Sequence, residues 1–289
     1  LYTVLYSTRY CVYTVYPTVY TRVLYCTVTV QVTVQVDEQE LGMISVAVSV
    51  TRCIVTCPPP LPGGRAAGSL VALVVPANEQ LVGTQFAYFP QVAGTKEVGA
   101  QPSWGGADIT SGGNMFYPVQ VVDGVVAQQG GTALRELCAA LPVVSDSDVR
   151  CPVGRAVSTR APSHLGEHFD RLVHVVAPLW GDEGDESQHK SSEDQVELVS
   201  AYDSVFEHAS GLPPSSVLLC PLLGCGARGA PADVSIAAAV QSLQSLRRAA
   251  DLTSASPSVP DVQLTVHFAL QDPELANSLK AELVTVGLL

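Results

Sequence analysis

The feature that most constrains the fold of this chain is a series of apolar, β-branched segments separated by segments with helical spacing. The segments that predict strands are residues 44–56, 69–76, 171–177, 216–222 and 262–270. Three of them are almost continuously apolar, as is typical of strands that are covered on both faces. Helical patterns lie between them, at residues 132–141, 193–210, 232–250 and 272–283. This alternation predicts an α/β fold with a largely parallel sheet.

Composition excludes several classes of protein. With 47% hydrophobic residues, the chain can bury a core and is not disordered. No apolar run approaches the roughly 20 residues of a membrane-spanning helix. The net charge is −12, and nucleic-acid binding needs clustered Lys and Arg. We therefore expect neither a membrane nor a nucleic acid as partner.

The cysteine content indicates the cellular compartment. Eight cysteines in 289 residues form no CxxC pair, and no secretory signal is visible at the start. Reduced thiols are the rule for such a chain in the cytoplasm or nucleus. We expect a monomer in one of these compartments, with no metal and no cofactor.

Two segments interrupt the globular pattern. Residues 1–43 form a low-complexity segment, and Val, Thr and Tyr occupy 25 of its first 36 positions. It is either a β-repeat or a translated simple DNA repeat at a poorly defined gene start, and we favour the second interpretation. Residues 44–289 then form one domain, in which residues 83–118 are predicted to be an insertion rich in Gly, Pro, Gln and aromatic residues.

The strongest local motif is PLLGCGARGAP at residues 221–231, here called the glycine loop. An apolar strand leads into Gly224, Gly226 and Gly229, and Pro231 opens a helix. Glycines let backbone N–H groups approach a ligand, and a helix N-terminus attracts anions. The loop therefore predicts a site for a diphosphate.

The glycine loop and a second motif each allow another interpretation. The glycine loop also fits GxGxxG of dinucleotide-binding domains, although that motif normally opens its domain, and it can also be a purely structural turn. The run from His164 to His168 fits H-x-x-E-H of zinc peptidases. Pro162 and the strand near Leu172 leave little room for the helix that such a site needs. We favour the diphosphate site.

Two further side chains are candidates for chemistry. Asn78 follows the strand at residues 69–76, at the end where α/β proteins usually bind ligands; it can also be a turn residue or a cap. Asp123 lies between apolar residues and is either a helix cap or a general base. On these residues alone the structural roles are favoured.

Taken in order, four pieces of the chain resemble the macro domain family, whose members bind ADP-ribose. The matching pieces are LVALVVPANEQL (70–81), VVDGVVAQQGGTALRELC (121–138), the stretch at 152–180 with His174 and Pro178 in matching places, and PLLGCGARGAP (221–231). The resemblance covers roughly residues 65–289. It implies a three-layer α/β/α fold with a mixed, largely parallel sheet.

The resemblance also implies roles for individual residues. Asn78 would contact the distal ribose, and Asp123 would help to activate water in a hydrolase. Ligand-binding positions would be Gly224, Cys225, Gly226, Ala227, Arg228 and Gly229, with Gly112 and Gly113 standing in for the family's glycine triplet.

Departures from the family pattern bear on activity. Ala127 stands where many hydrolases of the family carry His, and no Gly-Asp-Ile-Thr run precedes Leu70 to supply the adenine-binding aspartate. Asp108, in ADIT at residues 107–110, follows Asn78 instead of preceding it, and Phe268 lies too early for the usual aromatic residue near the last strand's end. We expect binding of ADP-ribose, free or on a modified protein. The alternatives are an ADP-ribosyl hydrolase that uses Asn78 and Asp123, and a degenerate fold without ligand.

Overall fold

The structure, a computed structural model, describes residues 44–61, 64–83, 121–145, 148–180, 188–226, 228–253 and 264–289. Its strands are β1 (Ile44–Val50), β2 (Val71–Pro76), β3 (Ala156–Arg160), β4 (Arg171–Val175), β5 (Val217–Cys220) and β6 (Leu264–Leu270). The predicted segment 1–43 and nearly all of the predicted insertion 83–118 lie outside the described residues. The division of the chain into these parts therefore stays a prediction.

The strands form one six-stranded sheet in the order β1-β6-β5-β2-β4-β3. All neighbouring pairs are parallel except β3 and β4, which are antiparallel. The predicted mixed, largely parallel sheet is confirmed. Because five strands run in one direction, their carboxyl ends open at the same edge of the sheet.

The helices are α1 (Val122–Ala139), α2 (Gln188–Ser210), α3 (Ala232–Thr253) and α4 (Pro273–Thr285). Helix α1 contains a kink at Gly131, where the backbone leaves helical geometry with φ 55° and ψ −142°. Helix α4 begins as its sequence predicts, because the Asp272 side chain accepts a hydrogen bond from the Glu274 N–H at 2.8 Å. Among the described residues, no helix is long and apolar enough to span a bilayer.

Strand β2 shows why the central strands are apolar along their whole length. Ala72 and Val74 belong to a core on one face of the sheet, together with side chains of α2, α3 and α4. Leu73 and Val75 belong to a second core on the other face, together with α1 and the turn that follows β1. Both faces are covered, so the first five of the six residues of the strand are buried. This is the predicted three-layer α/β/α arrangement.

The structure differs from the sequence-based expectation in three elements. Strand β3 (AVSTR) was not predicted, because an edge strand with alternating polar residues has no continuous apolar signal. Helix α1 begins ten residues before the predicted start at residue 132, because the pair Gly130 and Gly131 interrupts the helical pattern in its middle. The predicted strand 44–56 ends at Val50, and its remainder turns back on itself.

Candidate functional site

The candidate site lies where the connections from two central strands diverge. Strands β2 and β5 are parallel neighbours. The chain leaves β2 toward the half of the sheet that holds β4 and β3, and leaves β5 toward the half that holds β6 and β1. A crevice opens outside the carboxyl ends of strands at such a switch point. Ala77 and Asn78 follow β2 there, and the glycine loop follows β5.

Two glycines of the loop have different structural constraints. Gly224 has φ +81°, and a Cβ there would lie 3.2 Å from Ala230 Cβ and from Leu198 Cδ1. Gly226 has ordinary φ, is exposed, and a Cβ there would meet nothing within 4 Å. The N–H groups of both glycines find no acceptor among the described residues. Gly224 is therefore needed by the fold, and Gly226 borders open space that a ligand can enter.

A closed ring of buried hydrogen bonds fixes the start of the glycine loop. The Leu223 N–H donates to the Tyr202 hydroxyl at 2.8 Å. The Ser235 hydroxyl donates to the Leu223 carbonyl at 2.6 Å, so the Tyr202 hydroxyl donates to Ser235 Oγ at 3.1 Å. Burial raises the pKa of Tyr202 well above its usual value, which keeps this hydroxyl protonated. Helices α2 and α3 thus hold the loop from behind.

Arg228 joins the glycine loop to the end of β2. Its Nη2 donates to the Ala77 carbonyl at 3.2 Å, and its own carbonyl accepts from the Trp180 N–H at 2.8 Å. Burial lowers the pKa of Arg228, and the nearby carboxylates of Glu79 and Asp123 oppose that shift. The loop, Glu79 and Asp123 therefore converge at this edge of the sheet. Glu79 was missed by the sequence analysis, although it directly follows Asn78.

Asn78 has a structural role in the turn after β2. Its Oδ1 accepts a hydrogen bond from the Val82 N–H at 3.1 Å, and its backbone carbonyl accepts from the Leu81 N–H at 3.0 Å. These bonds make Asn78 a turn residue, one of the two roles that its sequence position allowed. They also orient its carboxamide, so that the NH₂ group is the end available to a ligand.

Asp123 lies in the first turn of α1, where a carboxylate is favoured by the helix dipole. It is not the N-cap: that position is Val121, which makes no side-chain cap bond. Its charge acts on Arg228 of the glycine loop and on Cys138 of its own helix. The predicted pair of Asn78 and Asp123 thus lies on segments that meet around Arg228.

Gly83 lies so close to Ala127 that no side chain fits at residue 83 without movement. A Cβ on Gly83 would lie only 2.8 Å from Ala127 Cβ. The segment that follows Asn78 therefore crosses directly over Ala127. The small side chain of Ala127 suits this close approach of Gly83.

The H-x-x-E-H run does not form a metal site in the structure. His164 and Glu167 lie on a 3-10 turn, Ser163–Glu167, with an exposed Nδ1 to Oε1 contact of 3.1 Å. Within the described ranges, no group of three His, Cys, Asp or Glu side chains is placed to hold a metal ion. Of the other predicted site residues, Gly112, Gly113 and Ala227 lie outside the described residues.

Comparison with known proteins finds a family model that matches part of the chain. Residues 105–239 match the family model described as the Macro domain. This segment includes Asp123 and the glycine loop, starts inside the predicted insertion, and does not include Asn78. A curated relative, the macro domain-containing protein in the gbd 3′ region of Cupriavidus necator, is 37% identical over 67 residues, which are 22% of this chain and 35% of that protein. The match thus spans about a third of the length of that relative.

Solved structures show the same fold. The Oceanobacillus iheyensis macrodomain with ADP aligns with a TM-score of 0.51 and 16% identity, covering 83% of this chain and 90% of that one. The same macrodomain with MES bound aligns with a TM-score of 0.50 and 17% identity, covering 83% and 89% of the two chains. At this identity the likeness concerns the fold. The described residues thus share the fold of these macrodomains, and residues 105–239 match the Macro domain model.

Proposed function

We propose that this chain binds ADP-ribose or a related nucleotide diphosphate in the cleft between Asn78 and the glycine loop. The observation that carries the proposal is the convergence of the loop with the end of β2 through Arg228. The family match and the ADP in the Oceanobacillus iheyensis neighbour support the same ligand class.

The loop has the chemistry that a diphosphate needs. The N–H groups of Gly224 and Gly226 are available, and hydrogen bonds to a charged phosphate oxygen are each worth about 1.5–3 kcal/mol. Three residues separate Arg228 from the N-terminal end of α3, and the dipole of that helix favours a bound anion. The Arg228 guanidinium offsets Glu79 and Asp123, so two carboxylates do not repel the anion unopposed. We expect the NH₂ group of Asn78 to donate to a ribose hydroxyl.

Gly226 provides the test of this site. Gly226→Val puts a branched side chain into the open space beside the loop without a clash in the protein itself. We expect it to abolish ADP-ribose binding while the melting temperature stays within a few degrees of the wild type. Gly226→Ala is the matched control and should retain measurable binding. Unchanged affinity in the valine variant would remove the loop from the site.

Hydrolysis of ADP-ribosyl groups is the second candidate function. The observation that favours it is that Asp123 shares the cleft edge with Asn78 and the glycine loop instead of capping its helix. A carboxylate there can polarise water toward the anomeric carbon. Ala127 carries no titratable group at the position where many relatives have histidine, which favours binding over turnover. The test is release of ADP-ribose from a modified protein by wild type, Asp123→Ala and Asn78→Ala.

The partner follows from the ligand. We propose free ADP-ribose or an ADP-ribosylated protein as the bound species, and a monomeric protein of the cytoplasm or nucleus. A degenerate domain without ligand remains the third alternative, and saturable ADP-ribose binding excludes it.

A further inference from the structure

A pair of cysteines faces each other in the turn that follows β1, away from the proposed binding cleft. Cys53 and Cys57 are directly opposite one another in an isolated antiparallel bridge, and the Cys57 N–H donates to the Cys53 carbonyl at 2.9 Å. Directly opposite residues of a hydrogen-bonded antiparallel pair have Cα atoms about 5.5 Å apart. Disulfides span Cα separations of about 4.4–6.8 Å. The backbone thus already has the spacing that a disulfide needs.

The rest of the turn holds this backbone in place. Ile54 and Val55, between the two cysteines, are only 4% and 2% exposed and pack into the core beneath the sheet. The Thr51 hydroxyl donates to the Cys57 carbonyl at 2.6 Å, and the Thr51 N–H donates to the Leu270 carbonyl at 2.7 Å. Closing a bond between the two sulfurs therefore requires side-chain rotation and no rearrangement of the anchored turn.

The two sulfurs are accessible and lie beside hydrogen-bond donors. Cys57 is exposed and Cys53 is half-buried. The Thr56 N–H donates to Cys53 Sγ at 3.5 Å, and the Thr56 hydroxyl donates to Cys57 Sγ at 4.0 Å. A solute disulfide can therefore reach this pair from solvent.

The cysteines in the core differ from this pair in their exposure to solvent. Cys138, Cys151 and Cys220 are buried, and burial raises the pKa of Cys138 to about 11 and that of Cys151 to about 12. Such thiols stay protonated and out of reach of solutes. Cys225 of the glycine loop is partly exposed, but burial raises the pKa of its thiol as well. Among the described cysteines, the pair in this turn is therefore the one best suited to oxidation.

We propose that Cys53 and Cys57 form a reversible disulfide in exchange with a small-molecule disulfide such as oxidised glutathione. The exposed Cys57 thiolate attacks one sulfur of the oxidant and releases one glutathione thiolate. The Cys53 thiolate then attacks Cys57 Sγ and releases the second. Two protein thiols are oxidised, one glutathione disulfide is reduced to two glutathione molecules, and the protons of the thiols pass to the released glutathione.

The bond is suited to regulation more than to permanent reinforcement. The loop it closes has five residues, so it removes little entropy from the unfolded chain compared with a long loop. Exposed disulfides of this kind are more easily reduced than buried ones. The fraction of this turn in the disulfide form can therefore follow the ratio of oxidised to reduced glutathione while the protein stays folded.

The full chain permits a direct test. Cleavage after Arg52 and Arg65 by trypsin gives one peptide that contains Cys53, Cys57 and no other cysteine. The protein is equilibrated with glutathione at rising fractions of oxidised glutathione, quenched with N-ethylmaleimide, digested and analysed by mass spectrometry. We expect this peptide to lose both alkylation sites together and to become two hydrogens lighter, without accumulating a glutathione adduct.

Cys53→Ser is the matched variant, since it leaves Cys57 without a resolving thiol. We expect it to accumulate a lasting glutathione adduct on Cys57. A wild-type peptide that stays doubly alkylated at every ratio, or that accumulates the same adduct as the variant, would overturn the proposal. Oxidation of Cys138 or Cys220 at the same ratios would also overturn it, because selective oxidation of the turn would then be lost.

Discussion

At the scale of single residues, three charged side chains from distant parts of the chain act on one another in the cleft. Arg228 comes from the loop after β5, Glu79 from the end of β2, and Asp123 from the first turn of α1. The guanidinium of Arg228 thus offsets part of the negative charge of the two carboxylates. The arginine therefore decides whether this edge of the sheet tolerates an anion.

The charge balance gives a pair of predictions with opposite signs. Arg228→Gln removes the cation that offsets Glu79 and Asp123, and we expect it to weaken ADP-ribose binding by at least about tenfold, or about 1.4 kcal/mol. Glu79→Gln removes one of the repelling charges and is expected to strengthen binding. Calorimetric titration of both variants measures this, and equal affinities for the two would contradict the role of Arg228.

Ala127 gives a second residue-scale prediction. Ala127→His introduces an imidazole where Gly83 approaches within van der Waals contact. Overpacking of this kind costs about 1–3 kcal/mol, so we expect a lower melting temperature and no gain in turnover. Ala127→Ser, which adds a single oxygen, is the control and should lose less. A histidine variant of wild-type stability would show that the segment after Asn78 moves freely.

At the scale of elements, side chains of α2 and α3 hold the start of the glycine loop. Tyr202→Phe removes the acceptor of the buried Leu223 N–H and the donor to Ser235. We expect a loss of about 1–3 kcal/mol in the free energy of unfolding. We also expect weaker ligand binding, because the start of the loop is no longer held. Urea unfolding and titration test the two effects separately.

Ser235→Ala gives the comparison for that experiment. It leaves the Leu223 N–H paired with the Tyr202 hydroxyl but deprives the Leu223 carbonyl of its donor. We expect it too to destabilise the fold. If both variants unfold at the wild-type urea concentration, the ring of hydrogen bonds does not contribute to stability.

The elements also show which parts of the fold can be predicted from sequence. Strands β2 and β5 were predictable because burial on both faces leaves a continuous apolar signal. Strand β3 was not, since its edge position requires no such signal, and the first half of α1 was hidden by Gly130 and Gly131.

The candidate site was predictable only in part, and the reason is sequence distance. The glycine loop and Asn78 carry local motifs, so the sequence indicates them. The contact of Arg228 with Ala77 joins residues 151 positions apart, and the contact of Tyr202 with Ser235 joins residues 33 apart. No spacing rule reports such contacts, because they arise from the order of the strands in the sheet.

At the scale of the whole molecule, two buried histidines make stability depend on pH. The His174 ring contacts the Thr159 hydroxyl at 2.9 Å, and the His267 ring contacts the Ser49 hydroxyl at 2.8 Å. Burial lowers the pKa of each ring to about 4, below its usual value of 6.5. The neutral rings are accommodated in the folded sheet, whereas the unfolded chain takes up protons first on acidification.

The sign of the effect follows from this difference. Stability from these histidines is complete above pH 6.5 and is lost as the pH falls toward 4, by up to about 3 kcal/mol per ring. Urea unfolding between pH 7 and pH 4 measures the loss, and His174→Gln should reduce it. His168→Gln removes an exposed ring and serves as the control. A free energy of unfolding that does not change with pH for the wild type would contradict the account.

The central claim is that the cleft beside the glycine loop binds a nucleotide diphosphate through its diphosphate and distal ribose. The most direct test is calorimetric titration of ADP-ribose into the full chain, with AMP and NAD as comparisons. AMP lacks the diphosphate and the distal ribose, so the account predicts saturable binding of ADP-ribose and much weaker binding of AMP. Absence of heat with ADP-ribose in a folded sample, or equal affinity for AMP, would contradict it.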